Sequence, residues 1–148
     1  MKELKIFIFC LSLLLVLTGC NSAKEINILN FKAEDVEDVE VYKFNIPTEA
    51  SGMIVTEDKD IKRIIEAFSE IIIEGDATDI NLVGGDVISF RFNLKNGEEF
   101  TIAHWEGILM NLDTINYKVS GDSIVNLWND LDYQKNDISE SKLPIVYD

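Results

Sequence analysis

The apolar positions between residues 35 and 133 change their period several times, and each change predicts an element. Residues 39–47, VEVYKFNIP, are rich in β-branched and aromatic side chains and stop at Pro47, which predicts a strand. A short second strand over Gly52–Val55 follows the Pro-Thr-Glu-Ala-Ser loop. Thr56 is then an expected N-cap, with Glu57 and Asp58 where a helix dipole favours negative charge. Ile61, Ile64, Ile65, Phe68, Ile71 and Ile72 recur at helical spacing, Ile73 falls off that stripe and Gly75 stands beyond it. This predicts an amphipathic helix ending between Ile72 and Glu74.

Residues 75–86, GDATDINLVGGD, read as a loop by composition. Strict alternation follows: Ile88, Phe90, Phe92 and Leu94 share one face, and after Lys95-Asn96-Gly97 so do Phe100, Ile102 and His104. The alternation also selects the turn. A two-residue Asn96-Gly97 loop sets Phe92 opposite Thr101, so the apolar faces disagree. A three-residue loop, with Gly97 left-handed in a G1 bulge, pairs Leu94 with Glu98 and sets Phe92 opposite Phe100 and Phe90 opposite Ile102. The second register is the expected one.

Ile108–Leu112 and Ile115–Val119 predict two further strands, and Ser120-Gly121-Asp122 opens a helix with apolar positions Ile124, Leu127, Trp128 and Leu131. The predicted order is β-β-α-β-β-β-β-α, five to six strands in all. Strands here follow strands, so the expected class is α+β: a mainly antiparallel sheet with two amphipathic helices on one face. One domain over residues 35–133 accommodates this, preceded by a spacer over 20–34 and followed by a tail over 134–148. The tail is polar until Leu143-Pro144-Ile145-Val146-Tyr147, and its pattern assigns it no place.

Upstream of the domain the pattern changes again. A mildly basic start, Met1-Lys2-Glu3-Leu4-Lys5, precedes an apolar run over Ile6–Leu17 broken only by Ser12. That run suits a signal-peptide core and falls short of the roughly 20 residues that cross a bilayer as a helix. It ends Leu17-Thr18-Gly19-Cys20 and turns polar at once. This resembles the lipobox of bacterial lipoproteins. The resemblance implies a signal peptide over 1–19, cleavage before Cys20, and a thioether-linked diacylglycerol on the Cys20 sulfur. Cysteine arithmetic agrees: the other cysteine, Cys10, lies in the segment removed, so Cys20 has no disulfide partner. Acyl chains at about 0.8 kcal/mol per buried methylene hold a protein to a membrane unaided by surface charge. Lipobox and domain together resemble the small domain lipoproteins of Gram-positive envelopes. That resemblance implies the extracytoplasmic face of the cell membrane and no particular activity.

Charge narrows the partners. Removing Lys2, Glu3 and Lys5 leaves 11 basic against 26 acidic residues, a formal charge of −15. Such a balance excludes nucleic acid and disfavours direct adhesion to anionic lipid. Protein or cell-wall partners remain.

Candidate chemistry is sparse. His104 is the only histidine, too few for a Cys/His zinc site, and it sits on the apolar face of its strand. Its neighbour Trp105 points the other way and is the expected partner contact. Asp76, Asp79 and Asp86 lie in a glycine-containing loop of oxygen ligands that departs from EF-hand spacing, so no metal site is assigned. With 26 acidic residues, carboxylate pairs arise by accident. The expectation is a non-enzymatic, cofactor-free, lipid-anchored binding or accessory module. The alternatives are a carboxylate-based wall or peptide hydrolase and an inhibitor or immunity-type protein that binds a basic partner.

Overall fold

The computed structural model describes residues 28–77, 85–111 and 116–144, so Cys20 and the lipobox lie outside the described residues. Its strands are β1 (Val36–Phe44), β2 (Ala50–Val55), β3 (Ile72–Asp76), β4 (Val87–Leu94), β5 (Glu99–Trp105), β6 (Ile108–Asn111), β7 (Tyr117–Ser120) and β8 (Asn136–Ile138). They form one sheet in the order β3-β7-β6-β5-β4-β1-β2-β8, antiparallel at every contact. Two helices, α1 (Asp58–Ser69) and α2 (Ser123–Asp130), complete an α+β architecture.

The sheet has eight strands rather than five to six. One additional strand is β3, taken from residues assigned to the end of the first helix and to the following loop. Ile71 and Ile72 continue the helical stripe, but the β-branched run Ile71–Ile73 suits a strand as well. β-branching and pairing with β7 decide for the strand. α1 therefore closes at Ser69, whose Oγ donates to the Glu66 carbonyl at 2.6 Å, and Ile72 lies 64% exposed on the sheet edge. The other addition is β8, three residues of the tail pairing with β2.

The cap of α1 also differs from expectation. Thr56 precedes the N-cap, which is Glu57, and Glu57 makes no side-chain capping bond. Tyr133 supplies one from 76 residues away: its hydroxyl accepts the Glu57 N–H at 3.2 Å and donates to Asp60 Oδ2 at 3.0 Å. A distant phenol thus satisfies one of the donors a helix start leaves unpaired.

The 95–97 hairpin adopts the expected register. Phe92 opposes Phe100, Phe90 opposes Ile102, and the Leu94 N–H donates to the Glu98 carbonyl at 2.8 Å, with Gly97 at φ 87°. A tighter two-residue turn, Glu106-Gly107, joins β5 to β6 with φ values of 43° and 81°, the positive pair a type I′ turn needs.

Alternation divides the sheet into two faces. Val39, Val41, Met53, Val55, Phe90, Phe92 and Ile102 turn toward α1 and α2, where Ile61, Ile64, Phe68, Ile124, Leu127, Trp128 and Leu131 close the main core. Phe68 meets Phe90 edge-on, with centroids 5.1 Å apart. Across the helices, Ser123 Oγ donates to the Ala67 carbonyl at 2.9 Å and Arg63 pairs with Asp130 at 2.6 Å. Residues given to the spacer also pack here. Leu29 is 5% exposed, and the Phe31 ring lies 5.2 Å from Phe92 and 5.4 Å from Phe100.

No described α-helix covers the opposite face. Tyr42, Phe44, Ala50, Val87, Ala103, Trp105 and Leu143 form a smaller cluster there, with Ile108 and Ile138 packed against it. Leu143 and Ile138 come from the tail. Residues 134–144 of the tail form a docked strap on this face.

Candidate binding recess

The helix-free face gains its chemistry from side chains at alternate positions on two central strands. Asp38, Glu40 and Tyr42 project from β1, and Ser89, Arg91 and Asn93 from β4, paired as Asp38–Asn93, Glu40–Arg91 and Tyr42–Ser89. Arg91 lies between Phe90 and Phe92, both fully buried on the helix side, so the pleat presents its guanidinium to the open face.

Its partners converge. The Arg91 guanidinium donates to Glu40 Oε2 at 2.9 Å and sits 5.8 Å above the centre of the Tyr42 ring. Arg91 Nη2 reaches the Lys142 carbonyl of the tail at 3.4 Å, and Nε lies 3.9 Å from Glu99 Oε2. The Tyr42 hydroxyl donates to the same Glu40 oxygen, and Asn93 Nδ2 reaches both Asp38 Oδ1 at 2.7 Å and Glu40 Oε1 at 3.4 Å. The Arg91 and Glu40 side chains keep only 24% and 23% of their exposure. Charge pairing at this depth is screened less than at an open surface. Burial, then the hydrogen bond to Glu40, raise the Tyr42 pKa well above the ordinary phenol value, so Tyr42 is a proton donor throughout the physiological range.

Beside this network lies a recess of about 440 Å³, bordered by Glu40, Tyr42, Ile54, Arg91, Ile138 and Lys142. Ile54 is 57% exposed at its rim and supplies an apolar contact next to the charges. Such a site combines an arginine fork, a phenol, a carboxylate and an isoleucine, the elements of a polar recognition surface. Glu40 already accepts at both oxygens.

A second hollow of about 590 Å³ separates the upstream segment from α1, bordered by Phe31, Ile65, Lys32, Lys62, Lys95 and Glu66 among others. There Lys95 Nζ donates to the Glu34 carbonyl at 2.8 Å and Lys62 lies 3.7 Å from Glu66. Three lysines and three acids line it, so their formal charges cancel.

The residues singled out in sequence lie elsewhere. Trp105 is not an exposed contact. It retains 8% exposure within the second cluster, which also includes Val87, opposite it on β4, and Leu143 of the strap. His104 is 6% exposed, opposite Ile88 and Leu109, and burial lowers its pKa below the ordinary imidazole value. By alternation it faces away from the recess. Asp76 pairs across to Tyr117 in β3–β7, while Asp86 forms an ion pair with Lys43 at 3.0 Å that holds its carboxyl below the usual range. Asp79 lies outside the described residues, among which no group of three metal-ligating side chains gathers.

Sequence reading missed Arg91, Glu40 and Tyr42. A signal for them exists: one of only two arginines in the chain stands in the middle of an aromatic strand, and Glu40-Val41-Tyr42 alternates on another. The pairing itself spans 51 residues and needs the fold. Compared with protein-family models, curated proteins and solved structures, the chain matches none.

Proposed function

We propose that this protein is a binding module held by acylated Cys20 to the extracytoplasmic face of the cell membrane, and that it engages a protein or cell-wall partner through the helix-free face around Arg91. The observation carrying the reading is the Arg91–Glu40–Tyr42 network bordering an open recess. Polar groups kept at this depth on a face that no described α-helix covers fit recognition, since a purely structural sheet gains little from a half-buried ion pair. Supporting binding over hydrolysis, both Glu40 oxygens already accept from Arg91, Tyr42 and Asn93, so this residue offers no free carboxylate as a base or nucleophile at the recess.

The address and the activity are tested together in cells. Cys20→Ser should move the protein from the membrane to the soluble fraction after signal cleavage. Capture of a partner from intact envelopes should succeed with wild type and fail with Arg91→Ala. Firm membrane attachment of Cys20→Ser contradicts the anchor, and undiminished capture by Arg91→Ala contradicts the site.

A further inference from the structure

The strap is held to the sheet by a short edge strand. Its strand β8 contributes three residue pairs to β2, against eight in β1–β4 and seven in β4–β5. Residues 139–142 are exposed, and their 3-10 turn closes on itself through Lys142 N–H to Ser139 O and Leu143 N–H to Glu140 O. Two apolar side chains, Ile138 and Leu143, join the second cluster. Few buried contacts on a short edge strand mark a segment that opens locally before the domain unfolds.

The surface beneath it is more specific than its cover. Gly52 leaves room for Ile138 on β2: a β-carbon at Gly52 would come within 2.8 Å of Ile138 Cγ1 and 3.0 Å of Tyr42 Cδ1. Arg91 reads the strap backbone through the Lys142 carbonyl at 3.4 Å. Opening would expose the β2 edge, a glycine-floored seat, an apolar patch and an arginine donor in one groove.

We infer that this groove accepts a polypeptide segment from a partner protein, extended where it meets β2, and that residues 136–143 occupy it as an internal stand-in. The incoming segment pairs with β2 in place of Asn136–Ile138, as in β-strand addition, and then turns as residues 139–142 do, bringing a second apolar side chain to the position of Leu143. This deepens the proposed binding role by naming the partner's chemistry, and it does not depend on acylation of Cys20.

The test uses a labelled synthetic peptide of the Gln134–Pro144 sequence, titrated against the full chain carrying Cys20→Ser. Because the groove is open only part of the time, wild type should bind weakly, in proportion to its open fraction. Leu143→Asp loosens the strap but leaves the seat, and should bind the peptide at least tenfold more tightly. Gly52→Val loosens the strap and fills the seat, and should not bind. Circular dichroism confirms that each variant is folded; Ile138→Ala replaces Leu143→Asp if the latter is not. A loosened variant that binds no better than wild type, or Gly52→Val binding as well as Leu143→Asp, overturns the inference. So does a wild-type dimer formed by exchange of straps, which would make a second copy the occupant. Envelope capture that depends on Arg91 while the peptide fails to bind would leave the binding role standing and refute the strand groove alone.

Discussion

Glu40 and Arg91 stand directly opposite each other across the β1–β4 pair, 2.9 Å apart, on the sheet face that no described α-helix covers. Each is about three-quarters buried, and Tyr42 closes the arrangement from below. Arg91→Ala would leave Glu40 with its charge but without its main counter-ion. The expected loss of stability is roughly 1–3 kcal/mol, measured by urea denaturation. Arg91→Lys should recover only part of it, since an ammonium lacks the planar fork and stacks less well on Tyr42.

The titration of Tyr42 and His104 sets opposite ends of a pH profile. The Tyr42 pKa is raised above 10.0 by burial and then by Glu40, so the folded state holds this proton more tightly than the unfolded chain. Its contribution is complete below pH 10.0 and is lost as pH climbs toward the folded value. His104 has its pKa lowered from 6.5 by burial, so the unfolded chain gains the proton first as pH falls. Stability from the neutral imidazole is complete above pH 6.5 and declines below it. Melting temperatures across pH 5 to 11 should show both flanks; Tyr42→Phe should flatten the alkaline one and His104→Gln the acidic one.

Gly97→Val separates backbone strain from packing. A β-carbon there would meet nothing within 4 Å, yet φ is 87°. The cost is conformational alone, about 1 kcal/mol or more for a β-branched residue. Chemical denaturation should report it with little change in the denaturant slope, because the hairpin register remains.

Trp105→Ala now has a different expected outcome from that of an exposed contact. With the indole buried among Val87, Ala103 and Leu143, truncation should destabilise the fold by about 3–5 kcal/mol. A thermal melt checks this. A neutral effect would mean that the second cluster contributes little to the core.

What the sequence made legible follows distance along the chain. The β4–β5 hairpin was readable because its turn, alternation and partners lie within twenty residues, and only one register reconciles Phe92 with Phe100. The α2 stripe was readable for the same reason, and Ile124, Leu127 and Trp128 are all buried. Ile71 and Ile72 were ambiguous because they continue the helical stripe and also begin a β-branched run, and β7 decides between them only in three dimensions. β8 shows no local signal, since three residues are too short for alternation. Trp105 lies on the face that alternation assigns it, but its burial depends on a second cluster, partly from the tail, that alternation does not reveal. Arg91 and Glu40 were each visible as residues, but their encounter depends on the register of two strands half a domain apart.

The two arginines provide the most direct measurement. Arg91 borders the recess, whereas Arg63 pairs with Asp130 on the helical side at 2.6 Å. Partner retained from intact envelopes should be quantified with wild type, Arg91→Ala and Arg63→Ala at equal expression. Both variants lose one positive charge, so a non-specific electrostatic effect moves them together. The expected result is a loss of at least tenfold for Arg91→Ala, equivalent to about 1.4 kcal/mol, with Arg63→Ala unchanged. Equal retention by all three, or equal loss by both variants, contradicts a binding role for the helix-free face.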